Sequence, residues 1–132
     1  MNPIFRNVDG STRIAGIWDQ TIQTGDPPEG FLYGTEYTRG QINEAVRSER
    51  SMEIVPSVDE DGHGTFIAGV AAGGENVEEG FLGAAPKATL GIVKLKEAKK
   101  YLKQFYFIDD KTKCYQENDI MLGIRYLSLL AR

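Results

Sequence analysis

The stretch Asp59-Glu60-Asp61-Gly62-His63-Gly64-Thr65-Phe66-Ile67-Ala68-Gly69-Val70-Ala71-Ala72-Gly73 decides how the rest of the chain is read. An acidic, turn-rich approach ends at a histidine between two glycines. Small and apolar residues follow without a break, so the pattern predicts a loop feeding a buried helix, with His63 at the helix N-terminus. Glycines at 62 and 64 permit backbone conformations and close approaches that a Cβ would block. His63 is the single histidine in 132 residues. A lone histidine is most often structural, but a neutral imidazole at a helix start is also the form a general base requires.

Working outward, the upstream segment Arg13-Ile14-Ala15-Gly16-Ile17-Trp18 reads as a short strand poor in charge, suited to a parallel sheet buried on both faces. Asp19 follows it directly. A carboxylate at the C-terminal end of a buried strand stands where open α/β sheets place functional groups, although an isolated aspartate there is also an ordinary turn or cap residue. Between the two candidates, Gly25-Asp26-Pro27-Pro28-Glu29-Gly30 is a loop. Phe31–Tyr37 is compatible with an extended segment. Thr38 and Gln41 form a capping-box pattern for a helix reaching about Arg50, with Ile42, Ala45 and Val46 on one face. Met52–Pro56 reads as a weak strand ended by Pro56.

Downstream, Gly73–Gly80 is an acidic loop, and Thr89–Lys94 reads as a second core strand. Ala98, Tyr101, Leu102 and Phe105 recur at helical spacing and are expected to pack into the core. Asp109-Asp110-Lys111-Thr112-Lys113 is expected to be a solvated turn. Glu117–Leu130 is a final helix with Ile120, Ile124 and Leu127 on one face.

The pattern Asp59-x-x-Gly62-His63-Gly64-Thr65-x-Ile67-Ala68-Gly69-x-x-Ala72 resembles the histidine motif of the subtilisin-like serine peptidases. Gly83-Ala84-Ala85-Pro86 leading to Val93-Lys94 resembles a second landmark of that family, in the expected order. The resemblance implies that Asp19 is the triad aspartate and His63 the triad base. One departure stands out: the family usually continues from the aspartate with Ser or Thr and then Gly, whereas this chain has Gln20-Thr21-Ile22. Ile17–Ile22 and Tyr115–Leu127 look closest to the clostridial spore-germination subtilases. Many subtilisins bind calcium near the acidic loop, where Glu75, Asn76, Glu78 and Glu79 carry oxygens, but six or more converging donors are not evident and a solvated turn is the better expectation. No other cofactor is implied.

The resemblance also implies what lies outside these residues. A Gly-Thr-Ser-x-Ala-x-Pro nucleophile motif does not occur among them, and Ser11, Ser48, Ser51, Ser57 and Ser128 lack its flanks. In this family the order is Asp, His, then Ser. The expectation is therefore a partial subtilisin-like α/β fold, with a mostly parallel sheet flanked by helices. Residues 1–132 would form the N-terminal part of a peptidase domain whose serine lies elsewhere. The full-length protein would be a serine endopeptidase acting on proteins or peptides, and this chain alone would be inactive. The alternative is a non-catalytic subtilase scaffold used in regulation.

Composition bounds the rest. A net charge of −4 argues against nucleic-acid binding. No apolar run reaches the roughly 20 residues of a membrane span. Cys114 is the one cysteine, so an internal disulfide is impossible. The first residues lack a signal-peptide pattern, which favours a cytoplasmic or spore-associated setting. Apolar sheet surface normally covered by the rest of such a domain is expected to promote self-association.

Overall fold

The computed structural model describes residues 2–132. After a 3-10 turn at Pro3–Phe5 come β1 (Ile14–Asp19), β2 (Thr35–Thr38), α1 (Arg39–Arg47), α2 (Ser51–Ile54), α3 (His63–Ala72), β3 (Leu90–Lys94), α4 (Lys100–Phe105) and α5 (Glu117–Leu130). The strands form a mixed α/β sheet in the order β2-β1-β3, with β1 and β3 parallel neighbours as their composition suggested. The chain divides into two compact units, both of which contribute to these strands. One runs through Ile17 and resumes over Tyr37–Ile92; the other holds Trp18–Glu36 and Val93–Arg132.

The first unit is built on Phe5, Ile14, Ile17, Tyr37, Ile42, Ala45 and Val55. Helix α1 starts where its capping box places it: the Thr38 hydroxyl accepts from Gln41 N at 3.4 Å, and the Gln41 side-chain oxygen accepts from Thr38 N at 2.9 Å. Of the segment Met52–Pro56, expected to be extended, the first three residues instead belong to the single turn α2. A short apolar run does not distinguish strand from helix by periodicity. Here the turn closes by Val55 N donating to Ser51 O at 2.9 Å, which sends Val55 into the core and leaves Met52 outside.

Helix α3 was expected to be buried, and only part of it is. Gly69 and Ala72 are buried and Ala68 packs on the core, whereas Phe66 is 67% exposed and Ile67 and Val70 lie beside it in solvent. The small residues form the packed face: a Cβ on Gly69 would sit 3.4 Å from Ile4 Cδ1. The larger side chains project from the other side.

The second unit centres on Trp18, which is 0% exposed and meets the rings of Phe31, Tyr33 and Tyr126 at 4.8, 5.3 and 5.7 Å. Its indole N–H donates to Tyr33 O at 3.1 Å, so the large side chain is buried with its polar atom satisfied. Helix α5 has the bounds expected of it, but a different face is inward. Asp119, Gly123 and Tyr126 are buried, while Ile120 and Ile124 are exposed. Gly123 lets the helix close on β3, since a Cβ there would come within 3.3 Å of Val93. Helix α4 is rotated in the same sense. Tyr101 and Phe105, expected in the core, are exposed, and Lys103 is buried in their place. Its ammonium donates to Thr112 O at 2.9 Å, Glu97 Oε2 at 3.2 Å and Asp110 O at 3.4 Å. Two of the three ammonium protons thus fasten the 109–112 loop and the third pairs with the Glu97 carboxylate.

Candidate functional site

His63 belongs to the first unit and Asp19 to the second, so each is described in its own surroundings. His63 is the first residue of α3 and is exposed. The turn before it needs glycine at one position: Gly62 has φ +76°, the left-handed region that side chains disfavour. Gly64 is different, because a Cβ there would make only an ordinary 3.5 Å contact with Asp59 Oδ2.

Asp59 organises this turn. Its Oδ1 accepts from Gly62 N at 2.9 Å, and its Oδ2 accepts from both Thr65 N and Thr65 Oγ1 at 2.7 Å. One carboxylate therefore satisfies amides that the start of a helix leaves without partners, and its charge suits the positive end of the helix dipole. The Thr65 hydroxyl and amide, with the Gly62 amide, hold the Asp59 carboxyl below its ordinary 3.8.

The other end of α3 joins the two sequence landmarks. Its last carbonyls need donors. Ala84 N donates to Val70 O at 3.0 Å and Ala85 N to Ala71 O at 2.8 Å. The Arg13 guanidinium donates to Ala72 O at 2.5 Å and also to Ile4 O and Ala88 O. Gly83 makes the crossing possible, because a Cβ there would stand 2.5 Å from Gly73 N and 2.8 Å from Gly69 O. The Gly83-Ala84-Ala85-Pro86 landmark is thus the C-terminal cap of the histidine helix.

Asp19 closes β1 and is fully buried. Its Oδ1 accepts from Thr21 N at 2.8 Å and from Thr21 Oγ1 at 2.5 Å, an aspartate turn in which the side chain imitates a backbone carbonyl. Gln20, the residue that departs from the family pattern, points inward and is also fully buried. Its amide oxygen accepts from Lys96 N at 3.2 Å and its amide nitrogen donates to Asp119 O at 3.0 Å.

Asp119 anchors the same region. Tyr33 donates its hydroxyl to Asp119 Oδ1 at 2.6 Å, and the Lys96 ammonium stands 3.2 Å from Oδ2. The Lys96 contact is one of charge, since no donor is aimed at Oδ2 in hydrogen-bonding geometry. Burial, then the adjoining Asp119 carboxylate, raises the Tyr33 phenol well above its ordinary 10.0. Asp59 and Thr21 stand in the sequence motifs without an assigned role, and the sequence gives no sign of a role for Tyr33, Lys96 and Asp119. The capping spacing of Asp59 to Thr65 is six residues rather than the familiar three, and Asp119 lies 99 positions from Gln20.

The acidic loop after α3 folds as a turn of its own. Asn76 and Phe81 exchange backbone hydrogen bonds at 2.8 and 3.0 Å, and the Asn76 side-chain oxygen accepts from Glu79 N at 3.3 Å. Among the described residues, no group of three or more His, Cys, Asp or Glu side chains converges as it would on a metal ion.

Residues 15–119 match the model of the subtilase family. The chain belongs to the subtilase family. Its fold matches a solved subtilase, the CspB protease of Clostridium perfringens, with a TM-score of 0.71 and 28% sequence identity. The match covers 96% of this chain and 22% of that one. No curated protein matches the chain. The subtilase match runs through both Asp19 and His63, along with the cap at 83–86 that closes the histidine helix.

Proposed function

We propose that this chain supplies two members of a serine-peptidase site, Asp19 as orienter and His63 as general base, with the nucleophilic serine contributed by a further segment of the peptidase domain. The observation that carries the reading is the family match across both residues, at the end of β1 and at the start of α3. In such a site the serine oxygen attacks the peptide carbonyl while the imidazole takes its proton. The imidazole then returns the proton to the leaving amine. The aspartate fixes the imidazole tautomer and stabilises the imidazolium as it forms. Hydrolysis also needs donors for the tetrahedral oxyanion. The full-length protein is accordingly a serine endopeptidase acting on protein or peptide substrates, and the chain of residues 1–132 is inactive by itself.

Two measurements test this. Peptide substrates incubated with the chain should remain intact, and steady turnover would overturn the proposed inactivity. Because His63 is the single histidine, its ring nitrogens give one set of NMR signals. Asp19→Asn should change the ratio of the two neutral tautomers, and unchanged ring signals would overturn the pairing of Asp19 with His63. Self-association belongs to the same reading; the apolar residues that favour it are Phe66, Ile67 and Val70 on the exposed side of α3, a helix face rather than the sheet surface expected. Sedimentation should rise with concentration, and a concentration-independent monomer would count against it.

A further inference from the structure

The two residues after Asp19 hold it from different directions. Thr21 places its amide and its hydroxyl on one carboxylate oxygen. Gln20 works through the main chain. Its backbone N–H donates to Lys94 O at 2.9 Å, while its side chain bridges Lys96 N and Asp119 O. All of these atoms lie in the second unit. Resting on the reading of Asp19 as the triad orienter, we propose that Gln20 and Thr21 are its positioning residues. Thr21 selects the carboxylate rotamer, and Gln20 fixes the backbone from which that carboxylate projects.

The chemistry of each residue suits its task. An aspartate at a strand end has three staggered choices about χ1, and two donors converging on one oxygen select one of them. Thr21 brings both donors from a single residue. Gln20 faces one N–H and one C=O, and a carboxamide offers an acceptor and a donor on two separate atoms at the end of a flexible stem. Glutamate would lack the donor, and leucine or methionine would lack both. Since Gln20 is fully buried, either half left unpaired would carry a desolvation cost, so both bonds are held. An orienting carboxylate is useful only if its geometry is set before the substrate arrives. The departure at Gln20-Thr21-Ile22 is thereby explained. Where the family has Ser or Thr directly after the aspartate, this chain has a threonine one position later bonded to the carboxylate, with the intervening residue turned into the core.

The experiment reads Asp19 directly. In isotope-labelled chain, three-bond couplings from the Asp19 carboxyl carbon to its backbone nitrogen and carbonyl carbon report χ1. The unaltered chain should show the couplings of one staggered rotamer. Thr21→Val keeps the branched shape and the backbone N–H but removes the hydroxyl, and should move the couplings toward rotamer-averaged values. Thr21→Ser restores the hydroxyl and should recover the single rotamer. Gln20→Met preserves size without the amide and should also produce averaging; should it not fold, the Thr21 pair decides alone. Couplings in Thr21→Val identical to those of the unaltered chain would overturn the inference. If Asp19→Asn leaves the His63 ring signals unchanged, the triad reading fails while the coupling result still stands. If Asp19→Asn alters them but Thr21→Val leaves the Asp19 couplings intact, only the positioning role is lost.

Discussion

The turn that carries His63 and the turn that carries Asp19 are built on opposite plans. His63 is exposed, and its turn depends on one carboxylate, Asp59, and one left-handed glycine. Asp19 is fully buried, and bonds from Thr21, Gln20, Lys94, Lys96 and Asp119 surround its strand end. Their legibility runs the other way. The histidine turn is dense in unusual residues, while the aspartate turn looks like any strand followed by any loop. Short-range chemistry leaves a signature in consecutive letters; a network spread over 99 positions does not.

Four substitutions or conditions would break or sharpen this contrast. The largest effect should come from the aspartate side. Trp18→Ala empties the aromatic cluster beneath Asp19 and should cost about 4 kcal/mol, read as a lowered urea midpoint by circular dichroism. Retention of the unaltered midpoint would show that the cluster is not the foundation of that region. Gly83→Ala tests the far end of the histidine helix. The new Cβ would meet backbone rather than a flexible side chain, and a loss of about 2 kcal/mol is expected in the same urea titration.

Asp59→Ala should cost less, about 1 kcal/mol, as expected for loss of a helix cap. It should also remove a pH dependence. The Asp59 carboxyl is held below 3.8 when folded, so the unfolded chain binds more protons in that window. Its contribution is complete above 3.8 and is lost as the pH falls through the lowered folded value. Thermal scans at about pH 3 and about pH 6 should therefore differ more for the unaltered chain than for Asp59→Ala.

The smallest effect is at the alkaline end and belongs to the other turn. Burial, and then the Asp119 carboxylate, raises Tyr33; burial, and then Glu36, raises Tyr126. The folded chain therefore keeps these protons where the unfolded chain loses them. That stabilisation is complete below pH 10.0 and fades as the pH climbs above it. Tyr33→Phe should flatten the alkaline decline, followed by the fluorescence of Trp18, the one tryptophan. Acid would thus loosen the histidine turn and alkali the aspartate turn.

The fold was legible wherever a local pattern had a single physical solution. The Thr38–Gln41 box, the parallel pair β1 and β3, and the bounds of α5 are of that kind. Helix faces were not. In α5 the apolar count favoured Ile120 and Ile124, but the buried side is set by Asp119, Gly123 and Tyr126, whose partners lie on remote segments. Lys103 misleads in the same way, since its stem is covered and its charge is met by Glu97 and two loop carbonyls. At the candidate site, Asp19 and His63 were singled out through resemblance. The residues that hold them emerged only from three-dimensional contacts.

The guanidinium of Arg13 has a consequence for the order of events as the chain is made. It reaches the last of its three carbonyl acceptors only with Ala88, 75 residues later, and β1 gains its parallel neighbour over the same interval. At ordinary rates of translation that gap lasts on the order of 4 to 15 s. Through that time β1 has an open edge, and the Arg13 guanidinium lacks the last of its three carbonyl acceptors. Nascent chains halted before residue 88 should therefore be more protease-sensitive at residues 13–19 than chains released after it.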